Sequence, residues 1–175
     1  MKYYHKIETV FNRDVDGTKN LVVGDWRDET VKFLSDCEWI FTEKVDGTNT
    51  VVYWDGHTVS FGGRTEKTQI PNELLEVLNA TFGTNEAEEL FEQTFGEKEV
   101  YLYGEGYGGK IQGGAGYGCE TSFILFDVMI GGNYQEREWV EKTAKMFGVD
   151  AVPVVLVGTI QDGIDFVKTH PKSTL

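Results

Sequence analysis

Histidine, cysteine and proline are scarce in this chain of 175 residues, with three, two and three copies. His5, His57 and His170 are scattered, and Cys37 and Cys119 lie far apart without metal-ligand spacing. No zinc site or disulfide framework follows from them, and the two cysteines read as ordinary thiols of a reducing compartment. No Ser/His/Asp or Cys/His set stands out either. A calcium loop over "NRDVDGTKN" fails because the required twelfth position carries no glutamate. Long apolar runs are missing as well. The opening "MKYYHKIETV" has no signal-peptide core, and nothing approaches a membrane span. A soluble, cytoplasmic protein with no membrane partner is expected.

Positive charge is also in deficit: 16 Lys and Arg against 29 Asp and Glu leave a net charge of −13. Proteins that coat nucleic acid draw much of their affinity from neutralising phosphates. The acidic balance argues against broad duplex binding. It leaves room for a small basic cleft, or for a pocket that meets phosphate through Mg²⁺. With no repeat, low-complexity tract or Pro/Ser-rich linker, residues 1–175 read as a single domain.

What is present is a globular composition, 40% apolar and 13% aromatic. "WIFTEKV" reads as a half-buried strand ending near Lys44, and "TVVYWDGHTVSF" as a hairpin about a type I′ Asp55-Gly56 turn. Pro71 opens a helix with Leu74, Leu75, Val77 and Leu78 on one side, and "NEAEELFEQTFG" forms another, ended by Gly96. "EVYLYGEGYGG" and "TSFILFDVMIGG" are strands flanking a glycine-rich loop. Val140, Ala144 and Phe147 mark a further helix stopped by Gly148. "AVPVVLVG" reads as a buried strand, and Thr159 caps a last helix with apolar Ile160, Ile164 and Val167. This order predicts an α+β domain built on antiparallel sheets.

Lys44 stands where an apolar strand opens into Asp46-Gly47. Most such lysines are exposed surface charges. The chemical alternative is a nucleophilic amine, which must shed its proton and therefore needs desolvation or neighbouring positive charge. The glycines of "YGEGYGGKIQGGAGYG" match neither a dinucleotide fingerprint nor a Walker loop, so residues 108–118 read as a flexible connection. Glu105 sits at a strand mouth, placed for a ribose hydroxyl or a metal ion. Phe126 is core, or a stacking platform for a base.

In series, "KVDGTN" from Lys44, Gly63-Arg64-Thr65, Tyr103-Gly104-Glu105 and "FILFDV" resemble the covalent nucleotidyltransferases, the superfamily of ligases and capping enzymes. The form "TEKVDGTN" is most similar to the ATP-dependent RNA ligase 2-like family, and the resemblance spans essentially the whole chain. It implies an antiparallel-sheet, ATP-grasp-like nucleotidyltransferase domain using ATP and Mg²⁺. Lys44 would take AMP from ATP, and the AMP would pass to an RNA 5′-phosphate that a 3′-hydroxyl then attacks. Arg64 would contact ribose or phosphate and Glu105 the ribose or a metal-bound water. Phe126 would stack on adenine, Glu43 would fix the adenine edge, and Asn49 would complete the nucleotide-binding set.

The family pattern continues with a metal-binding Glu-Gly strand and a Lys-x-Lys strand, and no match to either follows the helix at Thr159. The chain is therefore expected to be a C-terminally incomplete ligase core, completed by a C-terminal fragment or a second protein chain. A non-catalytic nucleotide-binding or interaction module is the alternative, and a capping-type guanylyltransferase a third. Intact Lys44, Asp46, Arg64 and Glu105 favour the ligase.

Overall fold

A computed structural model describes every residue except Ala115 and Cys119, so the thiol expected at Cys119 lies outside the described residues. The elements run β1 (Phe11–Arg13), β2 (Leu21–Trp26), α1 (Glu29–Phe33) and β3 (Trp39–Thr42). The hairpin β4 (Thr48–Trp54) and β5 (Val59–Gly63) follows, then α2 (Asn72–Phe82) and α3 (Asn85–Phe95). Next come β6 (Val100–Tyr107), a 3₁₀ turn (Ile111–Gly114), β7 (Ser122–Ile130), β8 (Asn133–Tyr134) and α4 (Arg137–Phe147). The chain closes with β9 (Asp150–Ala151), β10 (Val154–Gly158) and α5 (Ile160–Lys168). Among the described residues no helix is long and apolar enough to cross a membrane.

Two compact units result. The larger comprises residues 1–4, 44–152 and 175, the smaller residues 5–43 and 153–174. The larger is built on one sheet in the order β5-β4-β6-β7-β8, antiparallel throughout, with β9 added parallel to β7. Strand side chains alternate between faces, and one face meets the helices. There Val52, Trp54, Val100, Leu102, Phe123 and Leu125 pack on Leu74, Leu78 and Phe82 of α2, on Phe91 and Phe95 of α3, and on Val140 of α4. Trp54 stacks on Phe91 at 5.5 Å, and its indole donates to the Gly96 carbonyl at 2.9 Å. α3 starts where Thr84 accepts the Ala87 amide and stops at Gly96, whose φ of 59° suits a glycine. In α2 the buried stripe is Leu74, Leu78 and Phe82, while Leu75 points outward. The stripe keeps one helical face and excludes the residue one step away.

The hairpin differs from the expected two-residue turn. Trp54 pairs with Val59, leaving four residues between the strands. Asp55 accepts the amides of His57 and Thr58, each at 2.8 Å, and this side-chain turn outcompetes a type I′ geometry.

A bulge in β7 redirects the outer face of the same sheet. Tyr103 pairs with Asp127 but Gly104 with Leu125, so Phe126 is the extra residue. Leu125 and Val128 both face the helices, while Phe126 and the Tyr4-bonded Asp127 lie together on the opposite face. Tyr4 meets Phe126 edge-on at 4.8 Å.

In the smaller unit β1 pairs with β2, and β3 with β10, both antiparallel. α5 begins with a capping box between Thr159 and Asp162. Its Gly163 lies under Phe41, where a Cβ would fall 2.3 Å from the ring. The strand read from "WIFTEKV" ends at Thr42, although the Glu43 amide still donates to the Pro153 carbonyl at 3.0 Å. β10, expected to be buried, is not. Val154 and Val157 are 41% and 50% exposed, because among the described residues β10 pairs with β3 alone. Val167, expected on the apolar side of α5, is 66% exposed, and Ile160 with Gly163 forms the buried face instead.

Candidate active site

The outer face of the larger sheet carries the residues that can do chemistry. Asn49 on β4 lies directly opposite Glu105 on β6, and Glu105 opposite Ile124 on β7. The segment from Lys44 to Gly47 leads into β4 without regular structure of its own. Val45 anchors it, 3% exposed in a cluster with Tyr107, Ile124 and Val152, while Lys44 on one side and Asp46 on the other are exposed.

Gly47 answers to proximity. The expected Asp-Gly turn is a bend, and Gly47 has no positive φ. A Cβ here would come 2.1 Å from the Gly106 carbonyl oxygen and 2.9 Å from Cγ of Glu105. Only a residue without a side chain lets the backbone lie this close to β6. The glycine of β6 at 106 has a similar cause on the other face, where a Cβ would meet Leu74 Cδ2 at 2.1 Å. Part of the glycine-rich motif thus reflects helix–sheet packing.

Glu105 is the electrostatic centre. Burial pushes its carboxyl up from the ordinary 4.5 to about 7. Asp46 adds to the rise, while Lys44, the Gly47 amide and Arg64 oppose it. Two carboxyl groups, one amide and two cations from β4's approach, β5's end and β6 therefore act on each other here. Because the folded value lies above the unfolded one, the contribution of Glu105 to stability is fully present below pH 4.5 and lost as pH rises to about 7. Glu105→Gln should therefore show a smaller fall in urea midpoint between pH 5 and pH 8 than the wild type. Parallel curves for the two proteins would reject the burial of this charge.

The glycine-rich connection, expected to be a flexible link, holds this segment through two side chains. The Asp46 amide donates to the Tyr117 hydroxyl at 2.7 Å, and the Gln112 side-chain amide donates to the Gly47 carbonyl at 3.0 Å. Tyr117 packs edge-on against Tyr107 at 5.4 Å. Gln112 has a φ of 49°, a left-handed conformation that costs a non-glycine residue about 1 kcal/mol. Lys110 and Thr121 tie the connection to Glu73 of α2 at 3.2 and 3.3 Å. No periodicity marks Gln112 or Tyr117, and sequence reasoning missed both.

Of the expected site residues, Lys44, Arg64, Glu105 and Asn49 are thus brought to one region. Phe126 shares their face, packed partly against the cluster of Val45 and Ile124. Its ring also abuts Tyr4, a residue no motif pointed to; burial and the bond to Asp127 raise the Tyr4 phenol well above its ordinary value. Glu43 belongs to the smaller unit. Its carboxylate accepts from the Ser173 hydroxyl and from the Thr174 amide and hydroxyl at 2.9 and 2.7 Å. Burial pushes Glu43 up, but these bonds prevail and hold it below the ordinary glutamate value.

For a divalent cation the donors are few. Among the described residues no group of three or more His, Cys, Asp and Glu could hold a metal. Glu105 with Asp46 offers two carboxylates, which suits a Mg²⁺-like ion that keeps waters and takes its other ligands from a bound phosphate.

Comparison with known proteins adds to this geometry. A family model described as RNA ligase matches residues 37–171. No curated protein matches. Solved structures of a Naegleria gruberi RNA ligase are similar in fold. A lysine-to-alanine mutant with ATP and Mn gives a TM-score of 0.60 at 20% identity, over 77% of this chain and 42% of that one. An aspartate-to-alanine mutant without ligand gives 0.61 at 16% identity, over 92% and 48%. The same ligase with pyrophosphate gives 0.61 at 19% identity, over 91% and 50%. The chain spans half or less of the length of those proteins.

Proposed function

Because the chain belongs to the RNA ligase family, we propose that it is the nucleotide-handling core of an ATP-dependent RNA ligase, with Lys44 as its nucleophile. The Lys44 amine would attack the α-phosphorus of ATP. A P–N bond forms, the P–O bond to pyrophosphate breaks, and the amine proton leaves to water. The AMP would then pass to an RNA 5′-phosphate, and a 3′-hydroxyl would displace it to seal the strand. A C-terminal fragment or a second chain would complete the later steps.

The observation that best supports this reading is the convergence of Lys44, Asp46 and Arg64 on the half-buried Glu105. In-line phosphoryl transfer needs reactants held in place and developing charge met by fixed groups. Arg64 supplies a planar fork of donors suited to a phosphate or ribose. Asn49 beside Glu105 suits ribose hydroxyls, and Phe126 offers an aromatic surface to adenine. Glu43, one residue before Lys44, is assigned to the adenine edge. Glu105 with Asp46 would hold Mg²⁺, which would neutralise phosphate charge. A cytoplasmic setting belongs to the same reading.

Intact mass spectrometry before and after incubation with ATP and Mg²⁺, followed by peptide mapping, tests it. An AMP-sized increment on Lys44 is expected. ATP binding without any increment would assign a nucleotide-binding module instead.

A further inference from the structure

We propose that Gln112 and Tyr117 are positioning residues that hold the backbone behind Lys44 in line for attack. The inference rests on the reading of Lys44 as the nucleophile. The residues from Lys44 to Gly47 belong to no helix or strand, so no ladder of backbone hydrogen bonds fixes them. Side chains from elsewhere do this instead. The Asp46 amide goes to the Tyr117 hydroxyl, the Gly47 carbonyl to the Gln112 amide, and the Gly47 amide to Glu105. Three polar groups of the main chain at Asp46 and Gly47 are thereby taken up, with Val45 buried behind them.

The clamp is itself anchored. Tyr117 rests on Tyr107 of β6, and the connection that carries both residues is tied to α2 by Lys110 and Thr121 on Glu73. Gln112 reaches Gly47 from a left-handed backbone, and strain of this kind is kept where surrounding contacts over-determine it. Both side chains bond the main chain of Asp46 and Gly47. Their effect is on where the amine sits, and a misplacement of about 1 Å is worth on the order of 100-fold in rate.

The test uses the full chain with Tyr117→Phe, which keeps the ring on Tyr107 and removes only the hydroxyl, and with Gln112→Ala. AMP uptake is followed against ATP concentration. Each variant should lose roughly tenfold in maximal rate with the half-saturating ATP concentration nearly unchanged. Hydrogen exchange at the Asp46 amide should quicken in Tyr117→Phe by roughly five- to tenfold, the scale of one lost hydrogen bond, while Gly47 keeps its protection. An unchanged maximal rate overturns the proposal. So does unchanged exchange at Asp46, or an effect confined to half-saturating ATP. A wild type that takes up no AMP would sink the reading of function, and exchange then decides the clamp alone: quickened, it stands; unchanged, it falls.

Discussion

Lys44→Arg should take ATP-dependent AMP uptake to background while leaving the fold intact. Lys44 is exposed, and substitutions at exposed positions away from special geometry change stability within about 0.5 kcal/mol. Arginine keeps the positive charge that acts on Glu105, so the electrostatics of the site persist. Its guanidinium does not give up a proton in a protein and cannot form the P–N bond. Charge and nucleophilicity are therefore separated by one substitution. Removing a covalent nucleophile costs on the order of 10⁶-fold in systems where the full loss has been read. Lys44→Ala should match it. A mass increment that survives Lys44→Arg would place the AMP elsewhere and end the assignment.

Gly47→Ala should also be damaging, though to a smaller extent, by a steric route. The added Cβ would sit 2.1 Å from the Gly106 carbonyl, an atom of a central strand with no rotamer to escape into. Either β4's approach or β6 must shift. Overpacking of this sort costs about 1–3 kcal/mol. The larger loss is in rate: moving the segment by about 1 Å draws Lys44 out of line and costs on the order of 100-fold in AMP uptake. Urea midpoints and the initial rate of labelling check both halves. Full labelling by Gly47→Ala would mean that this close approach has no part in aligning the amine.

Much of the architecture is legible in the sequence because it rests on local chemistry. Thr159 with Asp162 marks the start of α5, and Gly96 and Gly148 end α3 and α4, all through bonds within a few residues. The family motifs likewise sit on contiguous stretches. Features that depend on distant partners are hidden. Nothing in "AVPVVLVG" tells that β10 pairs with β3 alone, so its apolar content suggested burial that the structure does not give. Asp55-Gly56 fits a two-residue turn, and only the reach of Asp55 to His57 and Thr58 lengthens it. Tyr117 and Gln112 act across 71 and 65 residues of chain, a separation at which spacing carries no signal. Tyr4 reaches Asp127 from 123 residues away.

The extra residue at Phe126 gives the strand a phase as well as a shape. With strict alternation, Leu125 facing the helices would bring Asp127 and Met129 in with it, and Val128 would turn outward. The insertion resets the count midway, so one stretch of chain serves an oily interior before and after a single outward-facing pair. Substitutions at Phe126 and Asp127 therefore vary what the outer surface offers without touching the packing between sheet and helices. Removal of one of the pair is a different kind of change: it would erase the bulge and restore strict alternation, with Val128 still facing the helices and one outward side chain lost. The bulge is the place where this strand can be rewritten, or shortened by one residue, while its inward phase is kept.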